Sequence, residues 1–151
     1  MKNFYSITTT IEEQLLQDPH VNSVTLGDIS DVDTYKQSLF PLAHILINNV
    51  DIQENILVFN ITILFMDIVN VSKNETEDRF RGNNDLHDKL NTQLIVASRL
   101  CDFLRRGDIS RNKYKLQESP NAEPFTDRFE NEVAGWALTM NIEIPNETQI
   151  C

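Results

Sequence analysis

The sequence predicts an α+β fold in which two helices pack on one face of a mainly antiparallel sheet. Three observations carry that reading. A helical stripe of apolar residues opens the chain, a long run of strictly alternating hydrophobicity occupies 56–69, and a second capped helical stripe lies at 85–106. Helices of period 3.6 and strands of period two must bury one face each, and the economical solution is helices layered on a single sheet.

The bulk numbers fit one domain spanning residues 1–151. The chain has 151 residues, 40% of them hydrophobic, enough for one core and not comfortably for two. Its formal net charge is −10. Such a surface repels the phosphate backbone, so specific nucleic-acid binding is not expected. It also lacks the excess of Lys and Arg that marks a membrane-surface helix. No hydrophobic run has the length of a membrane span, and "MKNFYSITTTIEEQLL" lacks the apolar core of a secretory signal. The four N-x-[ST] matches, at Asn60, Asn70, Asn74 and Asn146, therefore read as chance in an asparagine-rich chain. Cys101 and Cys151 are too few for a disulfide framework, and Cys101 reads as a reduced, buried thiol on a helix.

Element by element, residues 4–17 form a helix with Phe4, Ile7, Ile11 and Leu15 on one face, ended by Asp18-Pro19. "VNSVTLG" (21–27) is a short strand closed by Gly27. Pro41 marks the start of a second strand, "PLAHILINNV" (41–50). The polar "DIQEN" then leads into "ILVFNITILFMDIV" (56–69), making a long hairpin. In this run Leu57, Phe59, Ile61, Ile63 and Phe65 alternate with Val58, Asn60, Thr62, Leu64 and Met66, giving one dry face and one partly polar face.

A polar connection of about fifteen residues, "NVSKNETEDRFRGNN", exceeds the usual loop length and points to contact with a partner or to mobility. The second helix has Asn84 as its N-cap, with Asp85 and Asp88 in the first turn. Its buried stripe is Leu86, Leu90, Leu94, Ala97, Leu100, Cys101 and Leu104. Arg105 and Arg106 face the negative end of the dipole, and Gly107 supplies the cap. The pattern then weakens: "YKLQ" (114–117) is a short strand, "ESPNAEPFTDRFEN" reads as turns, and "EVAGWALTMNIEI" (132–144) is a long strand. It points Trp136, Leu138, Met140, Ile142 and Ile144 inward and ends at Pro145.

Candidate chemistry centres on Asp28, Asp31 and Asp33, with His44 downstream. Read as a calcium loop, "DISDVDTYKQSL" places Asp at positions one, four and six and Leu at twelve, where a bidentate Glu is required, so the match fails. His44 has no histidine partner at metal spacing, and a partly buried histidine hydrogen-bonded across the sheet is the favoured reading. Nucleophile-elbow, phosphate-loop, C-x-x-C and H-E-x-x-H patterns are absent from the sequence. The letters RGD at 106–108 are explained by a helix cap, and the carboxylate pairs Glu12/Glu13 and Asp127/Glu130 are ordinary in an acidic chain. "RFRGNN" and "EPFTDRFENE" mix aromatics with arginines, which suits either a protein interface or loop aromatics folded onto the local core. The candidate subunit-contact residues are thus Asp28, Asp31, Asp33, Arg79, Phe80, Arg81, Phe125, Arg128 and Phe129. No catalytic residue, metal site or cofactor is expected.

Taken in order, "GDISDVDTYKQSLFPLAHILINN", "FNITILFMDIV", "LNTQLIVASRL" and "EPFTDRFENEVAGWALTMNIEIPN" resemble small structural proteins of tailed bacteriophages, of the neck and tail-completion (tail-terminator-like) type. The resemblance covers nearly the whole chain and rests on segment order. It implies a virion protein without enzymatic activity, forming a ring of six or twelve copies at the head–tail junction. Such a ring would contact portal, neck or tail proteins, seal the joint and let DNA pass through its channel. It also implies residence in the host cytoplasm during assembly. Two alternatives stand beside it: a non-viral adaptor domain, and a small metal-dependent enzyme using the Asp28–Asp33 loop with His44.

Overall fold

The computed structural model describes residues 3–27, 40–68, 86–106, 114–117, 119–125 and 133–145. Helix α1 (Asn3–Leu16) comes first, followed by strands β1 (Ser23–Leu26), β2 (Leu42–Ile52) and β3 (Ile56–Ile68). Helix α2 (Leu86–Arg106) precedes the short β4 (Lys115–Leu116), then β5 (Asn121–Phe125) and the long β6 (Val133–Pro145). The fold is α+β, with two helices and a six-stranded sheet in the order β1-β2-β3-β6-β4, while β5 also pairs with β6. All pairings are antiparallel except β1 with β2.

The β3–β6 pairing is the spine of the sheet, running from Ile56↔Pro145 to Ile68↔Val133 without interruption. Because paired residues share a face, the register brings Leu57, Phe59, Ile61, Ile63 and Phe65 together with Ile144, Ile142, Met140, Leu138 and Trp136. The helices cover this face. Ile7, Ile11 and Leu15 of α1 and Val96, Ala97, Leu100 and Leu104 of α2 join the same buried cluster. Two polar contacts fix α2 on the sheet: the Trp136 indole N–H donates to the Leu90 carbonyl at 2.8 Å, and Lys89 lies 3.1 Å from Asp67. Arg99 reaches Asp18 at 3.3 Å, linking α2 to the segment that follows α1.

The other face is divided. Near one end Leu42, Leu64, Met66 and Val133 form a second apolar cluster with Phe40. Towards the other end it turns polar, with the amides and hydroxyls of Asn60, Thr62, Thr139 and Asn141 followed by the charged Asp51, Glu143 and Lys115.

Three expectations are corrected by the packing. The segment read as turns contains β5, in register with Thr139 through Gly135. Pro124 disguised it, but β5 lies on the outer side of β6, and an edge strand tolerates a proline whose missing N–H would face away from the ladder. The stripe of α2 turns on Gln93 rather than Leu94: Gln93 is 1% exposed and Leu94 37%. Apolar side chains at both 94 and 95 make the helix look broader-faced than the surface it buries. Finally, β2 continues two residues beyond the expected strand, to Ile52, so the connection to β3 shrinks to Gln53–Asn55 and is closed by a Gln53 N–H to Ile56 carbonyl bond of 3.0 Å. The expected caps Asn84 and Gly107 lie outside the described residues.

Candidate functional site

His44 is where the chemical expectation meets the structure. β2 pairs in parallel with β1, with Thr25↔His44 and Leu26↔Ile45 in register. The imidazole is 1% exposed. Its Nε2 lies 2.8 Å from the Gly27 carbonyl oxygen and its Nδ1 2.5 Å from the Thr25 hydroxyl. A carbonyl only accepts, so Nε2 carries a proton, and in the neutral ring Nδ1 accepts from Thr25. Both nitrogens are therefore engaged in fastening β1 to β2, as the favoured sequence reading expects, but the ring is fully rather than partly buried. Gly27 adopts φ +119, which turns its carbonyl at the end of β1.

Asp28, Asp31 and Asp33 lie outside the described residues, as do Arg79, Phe80, Arg81, Arg128 and Phe129. Phe125 is described and is half-buried against the second apolar cluster, so this aromatic takes the local-core option of the two left open. Among the described residues, no three His, Cys, Asp or Glu side chains come together in a way that would hold a metal ion. Burial pushes the Cys101 thiol above its usual 9.0, with Arg105 opposing the shift and Asp102 adding to it. It is a protonated, weakly nucleophilic thiol at neutral pH.

The sheet instead presents two surface features. The first is an uncharged ladder across the half-polar face. A register shift between Ile47 and Asn49 leaves Asn48 as an extra residue, and its amide nitrogen reaches Asn60 at 2.7 Å and Thr62 at 2.6 Å. Asn60 in turn donates to Asn141 at 2.8 Å, and the Thr62 and Thr139 hydroxyls lie 3.3 Å apart. Three strands are thus stitched by neutral side chains.

The second feature is an open edge. β1 covers only Leu42–Ile45 of β2, so Leu46–Ile52 has no neighbouring strand on its outer side among the described residues. Ile52, at its end, is 79% exposed. The far side of the sheet is blunter, since β6 is flanked there by the two-residue β4 and by β5 with its Pro124. Sequence reasoning found the half-polar face, through the alternation, but not the open edge. Strand order leaves no local trace in composition.

No protein-family model matches the chain, and no curated protein matches it. No helix among the described residues is long and apolar enough to cross a membrane.

Proposed function

We propose that this chain is a structural subunit of a tailed-phage virion, assembling as a ring at the head–tail junction, where it seals the joint and lines the passage for DNA. The observation that carries the reading is the asymmetry of the sheet among the described residues, with one long open edge bordering a neutral amide and hydroxyl ladder and one blunt edge. Open edges and neutral, half-buried faces are the surfaces through which subunits join. The neutral ladder matters in a chain of net charge −10, because copies of an acidic protein repel one another least where they meet through uncharged groups. The same charge suits a channel through which DNA passes without being held. The order of segments, with its likeness to neck and tail-completion proteins, supports the location.

The reading predicts contact surfaces above about 1,000 Å² in total between neighbours. It is tested by native mass spectrometry and negative-stain imaging of the purified protein, alone and mixed with portal and tail fractions. Rings of six or twelve copies, or incorporation into a head or tail complex, are the expected result. A protein that stays monomeric and joins neither fraction refutes the reading.

A further inference from the structure

Among the described residues, the outermost strand, β1, pairs with β2 alone and has backbone groups that no other strand uses. Gly27 N–H donates to the Ile45 carbonyl at 3.2 Å and Ser23 N–H to that of Pro41 at 3.3 Å. With the parallel register, these bonds turn Ser23, Thr25 and Gly27 towards β2. The N–H and C=O groups of Val24 and Leu26 therefore point outward, two donors and two acceptors along one edge. Beside that edge, between α1 and β1, runs a cleft of about 160 Å³ lined by Thr8, Glu12, Val24, Thr25, Leu26 and Ile45. Val24, Leu26 and Ile45 make its lining partly apolar, and Leu26 is 51% exposed. Glu12 stands on the helical wall with Glu13 exposed next to it.

We infer that the β1 edge and this cleft take up an extended segment of a partner protein by strand addition. An apolar side chain of the segment fills the cleft, and a Lys or Arg sits against Glu12. Strand addition supplies what Val24 and Leu26 lack among the described strands, since main-chain bonds provide affinity while side chains on alternate residues provide selection. The charge fixes the kind of partner. A carboxylate at the wall of a half-apolar cleft, on a chain of net charge −10, favours a basic segment and opposes a second copy of this acidic chain. Among the described residues the far edge of the sheet offers no equivalent, because β4 is two residues long and β5 contains Pro124.

The test uses the full chain and two fluorescent hexapeptides, one alternating Lys with Val and the other Glu with Val. The Lys peptide is expected to bind about tenfold more tightly or better, with amide shifts in NMR spectra centred on Val24 and Leu26. Glu12→Lys should reverse the preference. Val24→Pro should abolish binding and leave the fold intact, because the N–H it removes is not used by the β1–β2 ladder. Absence of binding at millimolar peptide, equal binding of both peptides, or undiminished binding to Val24→Pro overturns the inference. So do concentration-dependent shifts at Val24 and Leu26 without peptide, which would assign the edge to a second copy. Ring formation is read separately from copy number, so the two proposals fail independently.

Discussion

Gly135 is the position where one added methyl group does most damage. A Cβ placed there would lie 1.6 Å from the Phe65 carbonyl oxygen, 2.8 Å from its carbon and 3.2 Å from Met66 Cα. Ordinary carbon–oxygen contacts begin near about 3.3 Å, so relief requires β3 and β6 to separate locally by more than about 1.5 Å. That movement takes N–H···O distances beyond any useful hydrogen bond. Nor can β6 retreat freely, because Phe125 of β5 is registered against Gly135 on its other side. Losing about two ladder bonds at about 1 kcal/mol each, together with overpacking strain of about 1–3 kcal/mol, gives a destabilisation of about 3–5 kcal/mol for Gly135→Ala. Net stabilities of domains are about 5–15 kcal/mol, so the loss is a large share of the total.

The assay is urea unfolding followed by tryptophan fluorescence, since Trp136 is the chain's single tryptophan and the next residue along. At a slope of about 2 kcal/mol per molar urea, the midpoint should fall by about 1.5–2.5 M. Ala137→Gly, on the same face two residues on, removes a methyl instead of adding one and should cost only about 1 kcal/mol. A Gly135→Ala midpoint within about 0.3 M of the parent, a shift of well under 1 kcal/mol, would show that the strands do not approach as described.

Three further outcomes follow from polar groups that are buried, as His44 and Gln93 are, or half-buried, as Cys101 is. His44→Phe keeps an aromatic ring but loses the bonds to Thr25 and Gly27, and should destabilise by about 1–3 kcal/mol, with hydrogen exchange accelerating at the Thr25 and Gly27 amides before those of β3. Uniform acceleration across the sheet would contradict a local fastening role. Gln93 is buried with no partner for its Nε2 among the described residues, so Gln93→Met should raise the melting temperature by about 2–4 °C, and an unchanged or lower value would mean the amide is satisfied. For Cys101 the folded thiol holds its proton more tightly than the unfolded one, whose usual value is 9.0. Its contribution is complete below that pH and is lost as pH rises from there through the folded value, at no more than about 1.4 kcal/mol per pH unit. Relative to Cys101→Ala, the parent should therefore lose stability only on the alkaline side; an equal pH profile for the two would remove the burial argument.

Much of this architecture is legible because periodicity survives in the sequence. The Ile7, Ile11, Leu15 stripe and the alternation from Leu57 to Met66 state which face is buried, and the structure buries those faces. β5 is not legible, because Pro124 signals a turn unless one knows the strand lies at an edge. Leu94 misleads for a different reason: an apolar residue beside the true stripe satisfies the same spacing rule, and only the neighbour's position separates it from Gln93. The partners of His44 are likewise hidden. Thr25 and Gly27 reach it only through a parallel register between strands joined by a long connection, and local pattern does not encode that pairing. The outward groups of Val24 and Leu26 are invisible for the same reason, since every strand residue has them and only the ladder decides which are used.

The fastening of β1 by His44 bears on how that edge behaves. A four-residue strand at the margin of a sheet ordinarily flickers open, and a visitor then has to halt its motion on arrival. Here a buried ring grips the strand at its middle and its end, so its shape is fixed when the chain folds. Whatever meets this edge finds a rigid template, and the entropy of ordering it has already been spent.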